Sequence, residues 1–188
     1  GPPRGYFRIK ESVIELTDMP MNTEVGPRTP DRLRQRLSEL TFALVGVGSV
    51  GSRVALSLRR AGAERFVLVD CDILEGPNVC RFPAGFADVG ATKVELVQEL
   101  LREIGAAEPK IVTHPVHLAS ATNPVLHADV IESIAAADVL IDATANPDVF
   151  GLMAMIASDH RRPLLWAEVF AGGLGGLVAW AQPGQSPC

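Results

Sequence analysis

Apolar runs at residues 42–45, 66–69 and 139–141 end at Gly46, Asp70 and Asp142, and their length and continuous hydrophobicity predict buried strands. Residues 110–113, 164–169 and 177–181 read as three further strands. Between them the apolar positions recur at helical spacing. Val50, Val54 and Leu58 stripe a helix ending near Gly62, and Val94, Val97, Leu101 and Ile104 stripe another ending at Gly105. Residues 130–136 predict a short helix. Asn146-Pro147, an N-cap followed by proline at the first helical position, opens one with Phe150, Met153 and Ile156 inward. Strands alternating with helices predict an α/β, Rossmann-like, doubly wound fold: a largely parallel sheet with helices on both faces. Upstream the pattern is mixed. Residues 6–16 read as a strand or an extended arm, and residues 18–30, rich in Pro, Asn and Gly, as a linker. Asp31 is placed to cap a helix carrying Leu33, Leu37 and Leu40, with Arg32, Arg34 and Arg36 as its solvated face. The loop at 114–129 carries no clear pattern.

The pivot is residues 41–52, where a buried run meets Gly46-x-Gly48-x-x-Gly51 and then a helix. In that context Gly46 allows the tight turn, Gly48 lets a phosphate approach the backbone, and Gly51 lets helix and strand pack closely. The helix start offers unpaired N–H groups and a partial positive charge to an anion. The motif by itself says only that a nucleotide phosphate binds.

Composition narrows the classes. With 188 residues, 47% hydrophobic and 21% charged, the chain is long enough for one well-packed domain. A net charge of −5 and the lack of a Lys/Arg run argue against a nucleic-acid partner. No apolar stretch approaches the length of a membrane span. Three scattered cysteines, Cys71, Cys80 and Cys188, suit a reducing, cytoplasmic setting. Cys71 and Cys80 are read as buried or loop thiols. There is no initiator Met, Gly1-Pro2 is compatible with a cleavage scar, and Cys188 ends a Gly/Pro/Ser-rich stretch. The expected organisation is an arm and linker at 1–30 and a C-terminally truncated domain at 31–188, cut from a larger protein.

In open α/β sheets ligands sit beyond the carboxyl ends of the strands, so the residues after each run carry the chemistry. Asp70 follows the second run where an acid reaches ribose hydroxyls, with Asp72 beside it. Asn78 and Arg81 lie in the next loop. If its helix opens near Asp88 or Gly90, Lys93 falls in an exposed first turn, where the macrodipole disfavours a cation unless an anion is bound there. Asp142 ends the run at 139–141 and is suited to Mg²⁺ beside phosphates. Each has a plainer reading as a turn, loop, snorkelling or capping residue.

The run Asp70-x-Asp72-x-x-x-x-x-Asn78-x-x-Arg81, then Val89-Gly90-x-x-Lys93, then Asp142-Ala-Thr-x-Asn146, resembles the ThiF/MoeB/ubiquitin-activating-enzyme family over residues 33–181. The glycine turn with Ser49 belongs to the same resemblance. It implies Mg-ATP binding and adenylation of the C-terminal carboxylate of a ubiquitin-like or sulfur-carrier protein, in a homodimer. Asp70 would then hold the ribose, Asn78, Arg81 and Lys93 the phosphates, and Asp142 the Mg²⁺. The chain departs from the family at Ala145, usually acidic. The arginine that relatives reach into the partner subunit's site has no clear place, with Arg28, Arg32 and Arg34 as candidates. Zinc-binding Cys-x-x-Cys pairs and a thioester cysteine would lie beyond Cys188. The front end and residues 168–176 suggest a bacterial multidomain relative. Gly172, Gly173, Gly175 and Gly176 either admit a carrier's tail or bend a strand. Two other readings stand beside this one: a nicotinamide-dependent oxidoreductase, resting on the glycine turn and Asp70, and a non-catalytic nucleotide-binding dimerisation module.

Overall fold

The computed structural model describes residues 5–9, 12–16, 29–105, 107–118 and 124–183. Most of the expected linker at 18–30, Arg28 and Cys188 lie outside the described residues. Within residues 6–16, β1 (Gly5–Ile9) and β2 (Ser12–Leu16) pair antiparallel as a hairpin.

The six predicted strands form one sheet. They are β3 (Thr41–Val45), β4 (Arg65–Val69), β5 (Lys110–His114), β6 (Val139–Asp142), β7 (Leu164–Phe170) and β8 (Gly175–Ala181). Their order is β5-β4-β3-β6-β7-β8, all parallel except β8, which returns antiparallel beside β7. The chain thus winds outward one way from β3 to β5 and the other way from β6 to β8. Its reversal point lies between β3 and β6, the place where such sheets bind ligands.

Side chains alternate across this sheet, and each face has its own core. Phe42, Leu44, Phe66, Leu68 and Ile141 point to one side. Helices α1 (Asp31–Glu39), α2 (Ser49–Ala61) and α3 (Lys93–Arg102) cover it through Leu37, Ala55, Leu56, Val94, Val97 and Leu101. Ala43, Val45, Val67, Val69, Leu140 and Leu164 point to the other, under α4 (Pro124–Ala136) and α5 (Pro147–Asp159). Runs that look uniformly apolar in the sequence are therefore divided residue by residue between two cores. The doubly wound fold is as the pattern predicts.

Three local expectations are corrected, and the burial of α2 adds a detail. Pro30, not Asp31, is the N-cap of α1, and Asp31 is its first residue, where its charge still suits the helix dipole. Helix α3 opens at Lys93 itself, because Thr92 caps it and residues 86–88 form a separate 3₁₀ turn. Helix α4 starts at Pro124, six residues ahead of the expected 130, since proline fits a first helical turn. On α2 the face against the sheet is Gly51, Ser52, Ala55, Leu56 and Arg59, while Val54 and Leu58 are only half-buried. Small residues are what let α2 approach the strand this closely.

Arg59 is a buried charge with a structural task. Its Nε donates to the Leu101 carbonyl at 3.1 Å and its Nη1 to that of Ala63 at 3.3 Å, and Nη2 donates to Ala107. It ties the end of α3 to the end of α2, where Gly62 turns left-handed at φ 116° under the stem of Arg34. Replacement by a residue without donors leaves three carbonyls short of partners. Arg59→Met is expected to cost about 3 kcal/mol. Urea denaturation followed by circular dichroism measures this, and an unchanged midpoint would show the carbonyls find water instead.

Candidate functional site

The glycine turn sits at the reversal point. Gly46 adopts φ 81°, and its N–H donates to the Val69 carbonyl at 2.8 Å, while the Ala143 N–H donates to Val45 at 2.8 Å. A β-carbon at Gly46 would lie 2.9 Å from the Ala143 backbone, and one at Gly51 would overlap the Gly46 carbonyl oxygen. Both glycines are therefore required by packing. At Gly48 a β-carbon would meet nothing within 4 Å, so its backbone faces open space. That is the face a phosphate needs, next to the first-turn N–H groups of α2.

A cleft of about 230 Å³ opens there, lined by Gly46, Gly48, Asp70, Asp72, Lys93, Thr144 and Asn146. Asp70 is half-buried. Its Oδ2 accepts from the Val47 N–H at 2.8 Å and its Oδ1 from the Asp72 N–H at 2.9 Å. Burial pushes its carboxyl above the usual range, against those two hydrogen bonds and the Lys93 charge. Each oxygen keeps a lone pair for a ligand hydroxyl.

Lys93 differs from expectation. It is not exposed in a first turn: only 7% of its surface is accessible, and it is the first residue of α3. Its Nζ lies 2.6 Å from Asp72 Oδ2, and its own N–H donates to the Asp72 carbonyl at 2.9 Å. Asp72 thus holds the lysine at both ends. The Lys93 hydrogen bond holds the Asp72 carboxyl below its usual range. An ammonium at a helix N-terminus is unfavourable to the dipole, and the Asp72 carboxylate offsets it.

Asn78 and Arg81 do not line the cleft. The loop carrying them folds over the start of α2, where Ser49 Oγ and Arg53 Nη2 each donate to the Arg81 carbonyl at 3.3 Å. The Arg81 side chain is exposed, with Nη1 3.5 Å from the Pro77 carbonyl. Asn78 is half-buried in a 3₁₀ turn, and its carbonyl accepts from the Arg81 and Phe82 N–H groups. Arg81 therefore stands beside Ser49 at the rim.

Asp142 is buried and lines a second chamber of about 330 Å³, which shares Asn146 with the cleft. Its Oδ1 accepts from the Thr144 N–H at 2.9 Å and from Thr144 Oγ1 at 2.7 Å. Among the described residues nothing donates to Oδ2. The next residues form a tight turn with Ala145 at φ 53°, where an L-residue is strained, and Asn146 caps α5 by accepting from the Asp148 and Val149 N–H groups.

Sequence reasoning missed Val116, His117 and Leu118, which close the far wall of the cleft beyond β5. The rule that ligands lie past strand ends applied to them, but β5 is an edge strand with only partial burial, so its run gave a weak signal. Cys71 and Cys80 are exposed loop thiols. Burial and the neighbouring Asp72 raise the Cys71 thiol, which keeps it protonated and poorly nucleophilic. Gly172 and Gly173 take positive φ in the turn joining β7 to β8, and Phe170 packs over Gly175. No described helix is long and apolar enough to cross a membrane.

Known proteins are similar to this chain in sequence and fold. Ubiquitin-like modifier-activating enzyme 5 of Drosophila willistoni is 29% identical over 161 residues, covering 82% of this chain and 39% of the relative. Protein y4oA of Sinorhizobium fredii is 24% identical over 162 residues, covering 81% of this chain and 27% of the relative. Among solved structures, Escherichia coli MccB with MccA-N7isoASN superposes with a TM-score of 0.70 at 17% identity, covering 83% of this chain and 44% of MccB. PaaA superposes with a TM-score of 0.63 at 22% identity, covering 74% of this chain and 44% of PaaA. The chain spans less than half the length of each of these. The ThiF family matches residues 22–188, from ahead of α1 through the glycine turn and both acidic strand ends to the last residue, and this chain belongs to the ThiF family.

Proposed function

We propose that this domain binds Mg-ATP and adenylates the C-terminal carboxylate of a ubiquitin-like or sulfur-carrier protein, releasing pyrophosphate. The observation that carries this reading is Lys93, a buried lysine clamped by Asp72 in the cleft below the glycine turn. A nicotinamide-dependent oxidoreductase would use the glycine turn and Asp70 but has no task for Lys93 or Asp142. The names of the relatives, and MccB structures holding ATP or MccA, point the same way.

In this reading Asp70 accepts from the ribose hydroxyls. The Gly48 backbone and the start of α2 meet the phosphates, joined by Asn78 and Arg81 from the rim. Lys93 carries three N–H donors, so it keeps Asp72 and still donates to a phosphate oxygen. The acceptor carboxylate attacks the α-phosphorus, the bond to the bridging oxygen breaks, and pyrophosphate leaves with the electron pair. Charge builds on the leaving oxygens, and fixed cations stabilise it without a protein nucleophile. Asp142 suits Mg²⁺, which takes one or two carboxylates and completes its shell with phosphate oxygens and water. Bound there, Mg²⁺ would neutralise phosphate charge. Two exposed free thiols fit a cytoplasmic setting.

A homodimer is part of the proposal. The β7–β8 register sets Trp180 opposite Leu165, Val178 opposite Ala167 and Gly176 opposite Val169, all on one face. Val178, Trp180 and Val169 are 78%, 63% and 55% exposed there, an apolar patch of the kind that marks an interface.

Two outcomes test these points. Lys93→Ala is expected to weaken Mg-ATP binding in calorimetry by at least about tenfold, the value of one charge-assisted hydrogen bond. Because Lys93 is buried, the same variant should also lower the urea midpoint, so Lys93→Met serves as the packing control. Binding of NADH in place of Mg-ATP would replace the reading with an oxidoreductase. Light scattering should show a dimer that Trp180→Asp converts to monomer; a monomeric parent chain removes the dimer from the proposal.

A further inference from the structure

Thr144 joins the two turns at the reversal point of the sheet. Its backbone N–H and its Oγ1 hydroxyl both donate to one oxygen of Asp142, Oδ1, at 2.9 and 2.7 Å. The Asn146 N–H donates to the same hydroxyl at 3.2 Å, so the hydroxyl accepts from the N-cap of α5 and gives its proton to the carboxylate. Its γ-methyl lies 2.8 Å from where a Gly46 β-carbon would stand. The side chain is thus held on three sides, by the glycine turn, the end of β6 and the start of α5.

A carboxylate oxygen carries two lone pairs, and the two Thr144 donors occupy both of those on Oδ1. Nothing among the described residues donates to Oδ2. Asp142 is only 3% exposed, and uncompensated carboxylate charge is costly at such burial, so Oδ2 is suited to a cation. With Oδ1 closed, Asp142 offers a metal one oxygen and not two. That difference separates the common divalent ions. Mg²⁺ keeps a compact, near-ideal octahedral shell and binds through single carboxylate oxygens, phosphates and water. Ca²⁺ gathers about six to eight oxygens and accepts both oxygens of one carboxylate.

We propose that Thr144 sets the metal preference of the nucleotide site: by filling Oδ1 it makes Asp142 a one-oxygen ligand, which favours Mg²⁺ over Ca²⁺ as the ion that accompanies ATP. The proposal rests on the adenylation reading, in which Asp142 holds Mg²⁺. Thr144 is a positioning residue, because it acts through the Asp142 carboxylate. Serine at this position keeps both donors. Valine keeps the branched shape and the methyl against Gly46 but leaves only the backbone N–H on Oδ1.

Calorimetry with Mg-ATP, Ca-ATP and metal-free AMP on the parent chain, Thr144→Val and Thr144→Ser tests this. The parent should bind Mg-ATP tighter than Ca-ATP. Thr144→Val should narrow that ratio about fivefold, the effect of losing one hydrogen bond to a charged group, with AMP affinity unchanged. Thr144→Ser should keep the parent ratio. Equal affinity of the parent for the two metal complexes overturns the proposal. A Thr144→Val chain that keeps the parent ratio does so too, as does a Thr144→Ser chain that loses it. If Thr144→Val weakens all three nucleotides equally and lowers the urea midpoint, Thr144 is a packing residue and the proposal falls. Each of these results, with Mg-ATP bound by the parent, leaves the adenylation reading standing. A parent chain that binds neither metal complex overturns that reading and the proposal together.

Discussion

The close approach of two turns at the centre of the sheet is the constraint on which the rest of the structure depends. Gly46 leaves β3 with positive φ, its backbone pressed against Ala143 at the end of β6, and Gly51 brings α2 down onto Gly46 itself. A side chain at either glycine would push α2 off the strand or part β3 from β6. With both in place, α2 points its N-terminus into the gap that the doubly wound topology leaves at its reversal point. Everything proposed to touch phosphate is arranged around that one contact.

The charges are placed by the same geometry. Asp70 reaches back to the Val47 N–H within the glycine turn and forward to the Asp72 N–H, so it locks the loop after β4 to the loop after β3. Asp72 then grips Lys93 by both ammonium and backbone. The cation is thus presented from a helix end that would otherwise disfavour it. A lysine so buried and so held is set in one place, unlike a lysine on a solvated surface. Preorganised charge of this kind stabilises a developing anion without reorganising as it forms.

Much of this was legible in the chain. Apolar runs divided by helical stripes imply the parallel sheet, and Gly46-x-Gly48-x-x-Gly51 at a strand-to-helix junction marks its ligand end. Asn146-Pro147 behaves as the cap it resembles, because capping is local. The weaker readings failed where distant partners decide. The stripe Val50, Val54 and Leu58 marks α2 correctly, but only packing on the sheet decides that Gly51, Ser52, Ala55, Leu56 and Arg59 are its buried face. The wall at Val116 and Leu118 follows a half-covered edge strand whose pattern carries little information.

The sequence by itself determined the fold class, the glycine turn, the acidic strand ends and the family, because each depends on residue type at short spacing. Only the tertiary structure decided that Lys93 is buried and paired with Asp72, twenty-one positions away in the chain. It also decided that Arg81 stands at the rim while Asp142 opens on a separate chamber with Phe150, Trp166 and Glu168. Strand register and helix placement are collective results of packing two cores on one sheet. The burial of a charge and the partner it meets follow from that packing, and no local pattern encodes them.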